Sequence, residues 1–167
     1  SYLARVQYSY KGKYMASGAI RADGSSRFGK NNRWGYFPSA SLAWRVSGED
    51  FFTKAKFLSF VDDLKIRTSY GVTGNFQIGN YDHLSLMALD NYILGTGNGQ
   101  LVQGYKPNTI KNDDLSWEKN AMVNVGVDLQ MFKGLLGITV DYYNTNTSNM
   151  LLNVPVPHLT GYSTALM

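Results

Sequence analysis

The stretch from Trp34 to Val46, WGYFPSASLAWRV, alternates between two sets of residues without a break. Trp34, Tyr36, Pro38, Ala40, Leu42, Trp44 and Val46 are apolar or aromatic; Gly35, Phe37, Ser39, Ser41, Ala43 and Arg45 are mostly small or polar. A period of two is the period of a β-strand, whose successive side chains point to opposite faces. Strands of soluble domains run to about 5–6 residues, so a pattern this long needs a different reason. Trp34 and Trp44 are ten residues apart, which at ~3.3 Å per residue is about 33 Å of strand. Tilted by ~40°, that strand sets the two rings about 25 Å apart along a membrane normal, roughly the height of the apolar band between the aromatic girdles of a membrane barrel. Indole suits such levels because its ring is apolar and its N–H wants a polar partner. Pro38 removes one ladder hydrogen bond, so an edge or a bulge is expected there.

The alternation recurs along the chain. Tyr2, Ala4, Val6, Tyr8 and Tyr10 oppose Arg5, Gln7 and Ser9; after a Lys11-Gly12 turn, Tyr14, Ala16, Gly18, Ile20 and Ala22 oppose Lys13, Ser17, Arg21 and Asp23. Leu64, Ile66, Thr68, Tyr70 and Val72 alternate with Lys65, Arg67, Ser69 and Gly71, and similar patterns cover 121–129 and 136–142. A weaker strand over 149–156 carries Pro155 and ends against Pro157. The pattern predicts an all-β chain, an antiparallel meander of about seven long strands forming part of a large transmembrane β-barrel. In SGEDFFTKAKFLSFV (47–61) the alternation stops, and Ser47 is expected to cap a short helix with Glu49 and Asp50 in its first turn. Region 74–116 is rich in Gly and Asn and has no steady period. Connections 11–12, 47–62 and 131–135 are compact, whereas 23–33 and 74–118 are long or polar; this asymmetry matches short periplasmic turns and longer external loops. Bacterial single-chain barrels have an even number of strands from 8 upward, so residues 1–167 read as one segment of a barrel domain.

Composition removes several other classes. Charged residues make up 17% and aromatics 14%, with no cysteine; this excludes a disulfide framework and thiolate metal sites. The 16 Lys and Arg give a net charge of +4 but never cluster in a run, so no nucleic-acid stripe is present. No stretch reaches the ~18–20 apolar residues of a membrane helix, and a barrel needs none.

Four stretches, IRADGSSRFGKNNRWGYFPSASLAWRVSGEDFF, DLKIRTSYGVTGNFQIGNY, LSWEKNAMVNVGVDLQMF and TVDYYNTNTSNMLLNVPVPHLTGYS, occur in this order over about residues 14–163. In that order they resemble the barrel of SusC/RagA-type TonB-linked outer-membrane proteins. The resemblance implies a plugged importer of oligosaccharides, glycans or peptides in the outer membrane of a Gram-negative type bacterium. It also implies a SusD-like lipoprotein lid and energisation by the TonB complex. The family's plug, its TonB-contacting N-terminal segment and its final strands have no counterpart here.

No catalytic, cofactor or metal set is expected. His83 and His158 have neither a second His at helical spacing nor a Cys nearby. GTGNG (95–99) lacks the Lys-Ser/Thr of a phosphate loop. Asp113-Asp114 reads as turn chemistry ahead of a calcium site, and Asn146-Thr147-Ser148 as an idle sequon. Arg5, Arg21, Arg45, Arg67, Asp128 and Asp141 are expected on a polar inner wall. Trp34, Tyr36, Trp44 and Tyr70 are the candidate membrane-interface aromatics. Tyr81, His83, Tyr92 and Tyr105 are the candidate solute- or lid-contacting residues of the long loop. The alternative is a soluble β-rich glycan-binding module, which would hide its apolar face where a barrel segment exposes it.

Overall fold

The computed structural model describes residues 1–54, 60–95, 99–162 and 164–167. Six long strands form one sheet in the order β1-β2-β3-β4-β7-β8: Tyr2–Tyr10, Tyr14–Gly24, Trp34–Arg45, Val61–Asn75, Glu118–Met131 and Leu136–Ser148. The pairs β1–β2, β3–β4 and β7–β8 are antiparallel. No described helix is long and apolar enough to cross a membrane, which leaves crossing by strands open.

The registers sort the side chains as the alternation requires. Tyr8 faces Ala16, Trp44 faces Ile66, and Val127 faces Val140, all on one face. Ser41 faces Ser69, Arg45 faces Lys65, and Asp128 faces Thr139 on the other. The apolar face is not covered: Tyr2 is 71% exposed, Val6 74%, Leu42 59% and Val140 62%. Pro38 needs no bulge, because the β3–β4 ladder begins at Ser39↔Gly71, one residue after it.

The tight connections take left-handed backbone. Lys11 and Gly12 have φ of 52° and 64° and are the central pair of a β-turn that the Lys13 N–H closes on the Tyr10 carbonyl at 3.0 Å, three residues separating the paired Tyr10 and Tyr14. In 132–135, Phe132, Lys133 and Gly134 are all at positive φ, and the Leu135 N–H closes the turn on the Phe132 carbonyl at 3.2 Å.

The structure departs from the sequence reading in three places. The stretch 74–116 contains a hairpin of its own, β5 (Met87–Leu94) paired with β6 (Gln100–Pro107) and separate from the large sheet. The seventh expected strand shrinks to β9 (Asn153–Pro155), paired with β10 (Thr164–Leu166); Pro155 and Pro157 keep it short. Ser47 does not cap a helix: it lies in a 3-10 turn, Val46–Gly48, and its hydroxyl donates to Asp63. The helix α1 (Asp50–Lys54) instead hangs from the Glu49 carbonyl, which accepts from the N–H groups of Phe52 and Thr53 at 3.1 Å each. Residues 96–98 of the glycine-rich stretch lie outside the described residues.

The chain divides into two compact units. The first (1–23, 35–74, 119–148) holds most of the six-stranded sheet and its tight connections; the second (24–34, 75–118, 149–167) holds the long ones. In the second, Trp117 packs between Phe28 and Phe76 at centroid distances of 5.3 and 5.2 Å, with Leu115 and Ile78 buried as well. The Trp117 indole N–H donates to the Arg33 carbonyl at 3.4 Å.

Candidate functional site

The polar face of the first unit is a wall of hydroxyls and paired ions. Arg67 on β4 donates Nε–H to Asp128 Oδ2 at 3.1 Å and Nη2–H to Asp141 Oδ2 at 2.8 Å. The Thr139 hydroxyl donates to Asp128 Oδ1 at 3.1 Å. The β7–β8 register, with Asp128 opposite Thr139 and Gly126 opposite Asp141, gathers these groups. Gly126 makes the room: a Cβ there would stand 2.5 Å from Asp141 Oδ1 and 2.8 Å from Arg67 Cζ. Arg45 pairs with Asp63 at 2.8 Å and Arg21 with Asp23 at 2.7 Å. Between these ion pairs Ser17 and Ser41 share a hydrogen bond of 2.8 Å. Five of the six expected wall residues are therefore ion-paired within the wall, Arg67 being shared by Asp128 and Asp141; Arg5 has no carboxylate partner among the described residues. Exposed pairs of this kind contribute under ~1 kcal/mol each, so their effect is to set charge and orientation more than stability.

Phe37 breaks the polar character of this face. It is only 3% exposed, with the Arg21 guanidinium 5.5 Å from its ring centroid. The ring lies flush on Gly74, where a Cβ would be 2.0 Å from Phe37 Cζ.

On the apolar face Trp44 stacks on Tyr14, with centroids 6.5 Å apart and planes 5° from parallel. Both polar tips converge on one carboxylate oxygen: the Tyr14 hydroxyl and the Trp44 indole N–H donate to Glu49 Oε1 at 2.6 and 3.2 Å. The Lys13 ammonium donates to Glu49 Oε2 at 3.2 Å. Glu49 is thus the partner the Trp44 indole wants, and sequence reasoning had given it only a helix-end role. The Tyr14 hydroxyl foremost, then the Trp44 N–H, hold the Glu49 carboxyl below the ordinary carboxylate range; burial opposes them, and Lys13 adds a smaller lowering. A depressed folded-state value means that the carboxylate stabilises the fold above the unfolded-state value, and that this contribution is lost as pH falls through the folded one. Glu49→Gln is therefore expected to flatten the acid limb of stability between those values, measured by urea unfolding of the full-length protein in bilayers across pH. An unchanged acid limb would show that the clamp carries no linkage.

The other candidate aromatics of this face, Trp34, Tyr36 and Tyr70, are all exposed, and Tyr70 faces Ala40 across the ladder.

The four loop candidates lie in the second unit and do not form one cluster. Tyr81 is exposed at φ 70°, and its carbonyl accepts from the Leu84 N–H at 2.8 Å. His83 follows it, with a buried Nδ1 that has no hydrogen-bond partner among the described residues. Tyr92 and Tyr105 belong to opposite faces of the β5–β6 hairpin, since Tyr92 pairs with Val102 and Tyr105 with Leu89. Tyr92 lies over Gly104 beside the Asp90–Lys106 ion pair of 3.1 Å, whereas Tyr105 shares an exposed apolar face with Met87, Leu89, Ile93 and Leu101. Asp113 pairs with Lys111 at 2.5 Å, and the Asp114 N–H donates to Asn112 Oδ1 at 3.1 Å, which is turn chemistry. Among the described residues no three His, Cys, Asp or Glu side chains gather to hold a metal. His158 falls in the 3-10 turn His158–Thr160.

A sheet with an exposed aromatic-aliphatic face, an ion-paired hydroxyl face and its tight connections in one unit has clear relatives. The family described as TonB dependent receptor-like, beta-barrel matches residues 1–165. TonB-dependent receptor P39 of Formosa agariphila is 42% identical over 163 residues, 98% of this chain and 15% of the relative. TonB-dependent receptor SusC of Bacteroides thetaiotaomicron is 34% identical over 164 residues, 98% of this chain and 16% of the relative. Among solved structures, the RagAB peptide transporter superposes with a TM-score of 0.83 at 33% identity, over 99% of this chain and 17% of that one. The chain thus spans about one sixth of the length of these relatives. The sequence match and the superposition agree with the two-faced sheet, and the chain belongs to the TonB-dependent receptor β-barrel family, SusC/RagA type.

Proposed function

We propose that this chain is part of the wall of an outer-membrane importer of large nutrients, energised through the TonB complex and closed by a SusD-like lipoprotein lid. The observation that carries the reading is the uncovered apolar face of the six-stranded sheet. A soluble glycan-binding module would bury that face, and outer-membrane lipid is the solvent that suits it. Trp34, Tyr36, Trp44 and Tyr70 then take the interface levels. The hydroxyl and ion-pair face lines the lumen, and the long connections lie outside the cell. The solute is a peptide or an oligosaccharide: exposed tyrosines and loop amides suit both, and the RagAB relative is a peptide transporter. No transport chemistry in this reading asks an enzyme's nucleophile or base of the chain.

Orientation has a direct check. A cysteine at Ser26 of the full-length protein is expected to react with an impermeant reagent on intact cells, and one at Lys133 is not; the reverse pattern would overturn the topology.

The loop role is tested on the β5–β6 hairpin. Its base is clasped where the Asn108 N–H donates to the Leu86 carbonyl at 2.7 Å and the Leu86 N–H to Thr109 Oγ1 at 2.8 Å. Replacing residues 87–107 by a short link should leave the large sheet assembled, because among the described residues the hairpin forms a two-stranded sheet separate from it. Nutrient-dependent growth, or co-purification of the lid, is expected to fall. If both are unchanged with the variant at normal level in the outer membrane, Tyr92 and Tyr105 have no part in solute or lid contact.

A further inference from the structure

We propose that the apolar face carries, beside its tight-connection rim, a binding site for an anionic glycerophospholipid, with an acyl chain in a groove across β1–β4 and the phosphate at Lys11. The inference rests on the membrane-wall reading and adds a selective lipid to it. The groove is open, about 520 Å³ in volume, and its walls are Tyr8, Tyr14, Leu42, Trp44 and Ile66. Ala16 lines it too and makes the depression, because a methyl group there faces the bulky Tyr8 across the β1–β2 ladder. A flat lipid-facing wall would give an acyl chain no preferred seat; a trough with rigid aromatic sides does.

The rim of the groove supplies the charge. Lys11 stands in the turn after β1, its ammonium 5.2 Å from the Tyr10 ring centroid. Tyr10 is on the apolar face, opposite Tyr14, so the cation is held over the edge of the face that meets lipid. Lys11 has no carboxylate within ion-pair distance among the described residues. The neighbouring charges are already committed: Lys13 lies 3.2 Å from Glu49 and 3.9 Å from Asp50, Glu49 Oε1 is taken by Tyr14 and Trp44, and Arg45 is paired with Asp63. A free cation next to an apolar trough is the complement of a phosphate joined to an acyl chain. The tight-connection end is the periplasmic one in the proposed topology, which selects a phospholipid of the inner leaflet over lipopolysaccharide.

The test uses the full-length transporter, extracted in mild detergent and examined by native mass spectrometry after addition of phosphatidylglycerol, phosphatidylcholine or lipid A. The parent protein is expected to retain phosphatidylglycerol over the other two. Lys11→Gln should lower that retention about fivefold, the weight of one basic residue at an anionic surface. Ala16→Trp, which fills the trough without touching Lys11, should lower retention of both phospholipids. Heat-modifiable migration checks that each variant is folded. Equal retention of phosphatidylglycerol by a folded Lys11→Gln or Ala16→Trp protein, or preferential retention of lipid A, would overturn the lipid site while leaving the membrane wall intact. A parent protein that fractionates as a soluble monomer would overturn both.

Discussion

Leu42→Arg is expected to destabilise the full-length protein by about 1–2 kcal/mol in bilayers, because a basic side chain on the lipid face of a barrel costs ~2–4 kcal/mol at the midplane and ~0–1 kcal/mol near an interface. Leu42 lies on the apolar face of β3 between the middle of the strand and the Trp44 level, opposite Thr68, and is 59% exposed. Ser41→Arg, one residue away, should cost much less, because Ser41 belongs to the face where its hydroxyl bonds Ser17 and where ions are already tolerated. Both substitutions add the same side chain to adjacent positions of one strand, so the added net charge cancels in the comparison. The measurement is reversible unfolding of each variant from lipid vesicles. Equal costs would mean that the two faces do not see different solvents.

Gly74→Ala is the second large effect, and it comes from packing. A methyl group at 2.0 Å from Phe37 Cζ cannot be accommodated without moving the ring, and the ring is buried beneath Arg21. Overpacking of this kind costs about 1–3 kcal/mol. The double variant Phe37→Ala, Gly74→Ala should recover part of the loss, because the small side chain vacates the contested space. A double-mutant cycle in the same vesicle assay reads the coupling directly. Additive losses would show that the two residues do not compete for that space.

The strands of the large sheet were legible because their cause is local. Each β-branched or aromatic residue at an even step in β1–β4 faces the same side, and no distant contact is needed to know it. The hairpin β5–β6 was missed for a physical reason: MALDNYIL places apolar residues on both faces, with Leu89 and Ile93 on one and Ala88, Tyr92 and Leu94 on the other. A strand with no preferred buried face leaves no period in its sequence. The interacting groups of the sheet were out of reach for a different reason. Tyr14 and Glu49 are 35 positions apart, and Arg67 is 61 and 74 positions from its two aspartates. Strand alternation assigned Arg67, Asp128 and Asp141 to one face, yet only the β7–β8 register and the gap at Gly126 bring them together. Phe37 sat on the polar face by parity, and nothing in its own neighbourhood announced that Gly74 would leave room to bury it. The Phe28–Phe76–Trp117 cluster likewise joins separate connections that each read as polar loop.

The central claim is that β3 stands between lipid and a watery lumen. The most direct measurement is a spin-label scan of residues 39–45, one position at a time, in the full-length protein reconstituted in bilayers. Accessibility to oxygen and to a water-soluble nickel chelate is recorded at each site. The account predicts a period of two: labels at Ala40, Leu42 and Trp44 collide with oxygen, and labels at Ser39, Ser41, Ala43 and Arg45 collide with the chelate. Accessibility without alternation, or the chelate favouring the even positions, would contradict it.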